Sequence, residues 1–327
     1  MKKIVVLLVF ALFLGACNSD KRLFQQAKLA TSQGKLSLAI QIYGKLIKQN
    51  PQHFAAYTNR GLLWERLPAK DLKETLKNRA LAEEDYQKSL LINPRQPETY
   101  NNLGALYLDS KRYDDAIFNF TQALSYRPNY FMALMNRGIA YSRIGRMSNA
   151  LTDFEKAEKV NSSEPLLFLN RGLAYYDRSD YESAASDFTR VLFLNPDNAR
   201  AYLERARAFI KLKYPADAYA DLETAISLKP TYALAYYYLG DLAFRRGEKE
   251  QALGFLTRSK ELASKYAPTY DLMGDMLAMD DPIAAVANYQ VALKLDPANA
   301  RRYQRKMNLM KTEKGRDYVL GSRFYPR

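Results

Sequence analysis

The residues able to do covalent chemistry are few and poorly spaced for it. The 327-residue chain has one cysteine, Cys17, and one histidine, His53. A hydrolytic nucleophile needs a base beside it, and a structural zinc site needs about four His or Cys ligands. One residue of each type supplies neither. No G-x-S-x-G, H-E-x-x-H or phosphate-binding loop occurs. The acidic pairs Glu83-Glu84 and Asp114-Asp115 fall near the starts of predicted second helices, where carboxylates complement the helix dipole. A paired-carboxylate hydrolase is the enzyme reading this leaves standing; the expectation is no catalysis, no cofactor and no metal. What remains is hydrogen bonding. Amides stand at Asn59, Asn102, Asn136 and Asn170, three of them within Asn-Arg-Gly. A ladder of side-chain amides can donate to and accept from a peptide backbone without reading its side chains.

Those amides are spaced by a repeat. Pro94, Pro128, Pro196 and Pro230 lie on a grid of 34 residues, with Ser162 and Ser264 at the points where proline is lost. Ten residues past each point stands a glycine, Gly104, Gly138, Gly172, Gly240 and Gly274, with Ala206 once, and Gly61 stands ten past Pro51 ahead of the longer second unit. An alanine (Ala116, Ala150, Ala184, Ala218, Ala252) comes later, and four residues on a large apolar residue (Phe120, Phe154, Phe188, Leu222, Leu256). Small residues let two antiparallel helices approach, the large one fills the layer, and proline stops the second helix. Tyrosines at one repeat position, Tyr57, Tyr100, Tyr202, Tyr236 and Tyr270, argue for packing between helices before ligand contact.

This pattern resembles the tetratricopeptide repeat, W-x2-L-G-x2-Y, then A-x3-F, then P. One unit reads Tyr100, Leu103, Gly104, Tyr107, Ala116, Phe120, Ala123, Pro128, with Tyr in place of the first Trp. The resemblance implies an all-α fold, an α-solenoid wound as a right-handed superhelix. About eight helix hairpins are expected, at 20–53, 54–96, 97–130, 131–164, 165–198, 199–232, 233–266 and 267–299. Residues 300–327 should add a capping helix, roughly 298–312, and a basic tail. The second unit carries nine extra residues, around Pro68 to Lys77, expected to lengthen the turn between its helices.

At the start, Met1-Lys2-Lys3 precedes an apolar run from Ile4 to Phe13, too short for an ordinary membrane span. This charged and then apolar start has the form of a secretory signal, and Leu14-Gly15-Ala16-Cys17 resembles a bacterial lipobox. The resemblance implies a signal peptide over 1–16 and lipidation of Cys17 with acyl chains such as palmitate. The expected product is an exported lipoprotein anchored to the cell membrane or outer membrane, facing the periplasm or the exterior.

Net charge is +14, and residues 300–327 hold nine Lys or Arg against two acids. That basic end could touch anionic lipid or an acidic partner, or be a solvated tail; nucleic acid is not expected for an exported chain.

In tetratricopeptide proteins the first helix of each pair lines a groove that holds extended peptides or helices. The resemblance therefore places Asn59, Asn102, Asn136 and Asn170 in the groove. Beyond them the groove turns charged and aromatic, with Arg200, Glu204, Arg207, Tyr237 and Asp241 as candidate contacts. Positions that would need Lys to capture a chaperone's terminal carboxylate hold Thr58, Leu62 and Ala105, which disfavours that ligand. The expected function is a lipid-anchored, non-catalytic scaffold for envelope proteins, for instance one that gathers cell-wall hydrolases. A pilotin-like assembly factor and a structural homo-oligomer are the alternatives.

Overall fold

The structure is a computed structural model and describes residues 19–324. The expected signal peptide and Cys17 lie outside the described residues. Among those residues there are eighteen α-helices and no strand. The chain divides between Ser162 and Ser163 into two compact units. The first contains α1 (19–32), α2 (Leu36–Gln49), α3 (Phe54–Arg66), α4 (Leu72–Ile92), α5 (Pro97–Asp109), α6 (Tyr113–Tyr126), α7 (Phe131–Arg143) and α8 (Met147–Val160). The second contains α9 (Pro165–Asp177), α10 (Tyr181–Leu194), α11 (Ala199–Lys211), α12 (Pro215–Leu228), α13 (Ala233–Arg245), α14 (Lys249–Leu262), α15 (Ala267–Leu277), α16 (Pro282–Leu295), α17 (Ala300–Leu309) and α18 (Glu313–Phe324). This is an all-α repeat solenoid fold. Consecutive helices pair as hairpins, and within each unit the second helix of one pair packs on the first of the next.

The hairpins close because glycine lets an aromatic ring lie on the facing helix. A Cβ built on Gly138 would sit 2.7 Å from a ring carbon of Phe154, well inside contact distance. Phe120, Phe154, Phe188 and Tyr289 are fully buried. The repeated tyrosines do pack between helices: Tyr100 stacks on Tyr126 at 6.0 Å, and Tyr236 lies 6.4 Å from Phe255. His53 caps α3, its Nδ1 accepting from the Ala56 N–H at 3.2 Å, and stacks on Phe24.

Helix ends follow the grid, but proline is not their sole cause. Asn93, Arg127, Asn195 and Lys229 leave helical geometry before a proline, whose ring excludes the α region for its predecessor. Asn161 and Ala263 leave it at the same grid position with serine following. Six of the hairpins place one left-handed residue in their inner turn. Gly34, Lys111, Gly145, Ser179, Lys213 and Gly247 all have φ between 59° and 81°.

Two elements differ from expectation. The nine extra residues of the second hairpin mostly lengthen a helix rather than a turn: α4 has 21 residues where α6 has 14. Asp71 starts it by accepting from the Glu74 N–H at 2.8 Å, and no glycine or proline interrupts the rest of the helix. The chain also does not end in one capping helix and a loose tail. α17 and α18 form a further hairpin, with Met310 and Val319 buried beside Tyr289. Gly315 permits the tight return, since a Cβ there would stand 2.1 Å from the Leu309 carbonyl oxygen.

Candidate peptide-binding surface

The first helices carry the candidate contacts. In residues 19–162 the amides are largely occupied within the fold. Asn59 is in hydrogen-bond contact with the buried Tyr43 hydroxyl, and burial pushes that phenol up to about 12. The Asn136 amide donates to Asn101 at 3.4 Å, and Asn101 is itself buried. Asn102 is half-buried. Thr58 joins a network between hairpins, 2.8 Å from Ser89 Oγ and 2.9 Å from Thr99 Oγ1. In the second unit, the Asn170 amide donates to the carbonyl of Leu166, one turn back in its own helix, at 2.8 Å. These contacts are those of side chains that steady helices.

The arginine of each Asn-Arg-Gly, which sequence reasoning passed over, has a clear role. Arg60, Arg137 and Arg171 each form a two-pronged ion pair with Asp85, Asp153 and Asp187 on the second helix of the same hairpin, at 2.7–2.8 Å. Arg205 does the same with Asp221. The signal was an aspartate 16 residues after the arginine, or 25 across the nine-residue insertion.

Residues 163–327 gather the charged and aromatic candidates. Arg207 donates to the buried Glu204 carboxylate, and Arg200 reaches the same carboxylate at 4.0 Å. The Arg207 guanidinium lies over the Tyr176 ring at 4.6 Å. Burial opposes its charge, but Glu204 and the phenols of Tyr238 and Tyr176 outweigh that, and its pKa ends above its ordinary value. Tyr237 meets Tyr238 and Tyr266 edge-on, at 5.2 and 5.4 Å. Asp241 is buried and accepts from Arg245 Nε at 2.8 Å. Burial raises the pKa of Tyr176, Tyr232 and Tyr266, so near neutral pH these phenols keep their protons and act as donors. α9 with α11, and α13 with α15, lie side by side, so these groups share the first-helix side of this unit. Sequence reasoning named Arg200, Glu204, Arg207, Tyr237 and Asp241, and placed Tyr238 at the position of the amides, but passed over Tyr176 and Tyr266. Their signal was tyrosine on, or capping, successive first helices.

The basic end is partly spent inside the fold. Lys306 binds Asp271 at 2.7 Å and Asp275 at 2.6 Å, Arg302 pairs with Asp271, and Arg305 lies over Tyr318. Among the described residues no cluster of His, Cys, Asp and Glu could hold a metal ion, and no helix is long and apolar enough to cross a membrane.

Family models for the tetratricopeptide repeat match residues 97–130, 133–164, 24–85, 169–218 and 213–267. The chain belongs to the tetratricopeptide repeat family. A curated relative, Hsp70-Hsp90 organizing protein 3 of Arabidopsis thaliana, is 31% identical over 90 residues, 28% of this chain but only 14% of that protein's length. Similar solved structures include a tetratricopeptide repeat protein from Parabacteroides merdae (TM-score 0.58, 20% identity, 78% of this chain and 98% of that one). Others are pilF of Pseudomonas aeruginosa (0.56, 20%, 68% and 96%) and part of a repeat protein from Cytophaga hutchinsonii (0.54, 19%, 90% and 98%). At these identities the likeness is one of fold. Tetratricopeptide repeat proteins generally mediate protein–protein interactions, and such scaffolds are typically non-catalytic.

Proposed function

We propose that this tetratricopeptide repeat protein is a non-catalytic adaptor of a bacterial envelope, anchored through lipid on Cys17, that holds a peptide or helical segment of a partner protein. The supporting observation is the cluster on the first helices of this unit: Arg207 between Glu204 and the Tyr176 ring and near Tyr238 and Tyr266, with Tyr237 edge-on to both of those tyrosines. Protonated phenols donate hydrogen bonds, aromatic edges and faces bury apolar side chains, and the Glu204–Arg207 pair can exchange partners with a charged ligand group. The amides of Asn59, Asn136 and Asn170 are occupied within the fold and are not assigned the main contact. Export and anchoring rest on the lipobox-like Leu14-Gly15-Ala16-Cys17, and several acyl chains would make attachment durable.

Photocrosslinkers at Tyr237 and Asn136, followed by mass spectrometry in living cells, test this reading. Capture of an envelope protein from Tyr237, lost in Arg207→Ala, is the expected result. Equal capture after Arg207→Ala removes the site, and capture of a second copy of the chain marks a homo-oligomer instead. Membrane retention with normal processing of Cys17→Ser would refute the anchor.

A further inference from the structure

We infer that the insertion at the start of α4 is an interaction surface for an anionic bilayer. This inference rests on the envelope-anchored reading in one respect only: it needs a membrane within reach. Leu72 is 72% exposed and Leu76 55% exposed. They stand four residues apart, on one side of α4. Asn78, Ala82 and Asp85 supply its buried side, so the two leucines have no place in the core. Lys70, Lys73 and Lys77 are all exposed and flank that stripe. Residues 66–79 carry five basic groups against Asp71 and Glu74, and both acids are engaged at the helix start. The Asp71 carboxylate caps α4, and the Glu74 carboxylate accepts from the Lys70 backbone N–H at 2.7 Å.

Leucines on one helical stripe beside lysines fit the boundary between headgroups and acyl chains. The apolar side chains enter the boundary while the ammonium groups stay with lipid phosphates. A protein partner with acidic side chains is the competing occupant. The lipid surface is favoured by charge and by side-chain type: Lys70, Lys73 and Lys77 are exposed beside the two leucines, and the two nearby acids are engaged at the helix start. The insertion is also peculiar to this hairpin, since α4 exceeds α6 by seven residues.

The test labels Leu76→Cys in the full chain with an environment-sensitive fluorophore. The chain is reconstituted in vesicles of phosphatidylcholine alone or mixed with phosphatidylglycerol. Lys88→Cys, farther along α4, serves as the control label. The expected result is a blue-shifted, brighter emission from position 76 in phosphatidylglycerol vesicles only. That gain should be lost at high salt and in Lys70→Glu/Lys73→Glu/Lys77→Glu, whose helicity is checked by circular dichroism. Emission indifferent to phosphatidylglycerol, or retained in the glutamate variant, overturns the proposal. So does a shift that appears only on adding soluble envelope proteins. Labelling of the unsubstituted chain reports a free Cys17, which would sink the anchor reading; the lipid test is then read in a Cys17→Ser background, where position 76 carries the only label.

Discussion

At the residue scale the most informative groups are those that had to be paired. Asp153 is 2% exposed and is matched by Arg137 alone at two points. Removing one partner of a buried ion pair leaves a charge that neither water nor protein satisfies. Arg137→Ala should therefore cost about 2–4 kcal/mol, read by urea unfolding. The double variant Arg137→Met/Asp153→Leu should recover much of that, because a well-packed apolar pair removes the stranded charge. Tyr43 makes a second case. It is 1% exposed, and burial lifts its phenol from 10.0 to about 12. A folded-state pKa above the unfolded one means its stabilisation is complete below pH 10 and is lost as pH rises through the folded value. Stability should fall by on the order of 2 kcal/mol between about pH 10 and pH 12 from this group. Tyr43→Phe should make that part of the pH profile shallower by this group's share, the remaining slope belonging to other buried tyrosines such as Tyr176 and Tyr266.

At the element scale the same chain solves one problem several ways. Six hairpin turns use a left-handed residue, and glycine fills it at Gly34, Gly145 and Gly247, whereas Lys111, Ser179 and Lys213 adopt it with a side chain. An L side chain there crowds the backbone, and glycine does not. Replacing Lys111, Ser179 or Lys213 with glycine should stabilise by about 0.5–1 kcal/mol each, seen as a raised denaturation midpoint. Gly145→Ala should lower it. The helix ends carry a related lesson. Asn161 and Ala263 stop their helices without proline, so the place of the stop belongs to the hairpin's packing and proline reinforces it. The insertion went into α4 because Asp71 could cap it and because Asn78 and Ala82 continue its buried side.

At the scale of the whole molecule, charge that looked free in the sequence proves to be partly committed. The second unit closes with α17 setting Lys306 on Asp271 and Asp275, which are 4% and 2% exposed. Tyr289 also donates to Asp275, at 2.9 Å. Lys306→Ala should destabilise residues 163–327 by about 3 kcal/mol, and adding Asp275→Asn should restore part of it. Unfolding of the single and double variants in urea checks both. A silent Lys306→Ala would mean that the basic end is a surface feature after all.

The repeat, its phase, the hairpins and the glycine–ring contacts were legible in the linear order. Each depends on a small residue facing a large one at a fixed interval, and helix geometry alone brings such pairs together. The location of the charged and aromatic candidates on first helices was legible for the same reason. The Arg–Asp pairs carried the same kind of interval signal, but what Asn136 and Lys306 bind was not legible. Their partners stand on other helices, 35 residues away, and a side chain's bonds depend on how those helices cross and on which rotamer burial leaves open. Local sequence therefore determined the hairpins. Only tertiary packing decided which polar groups are spent inside the fold and which face outward.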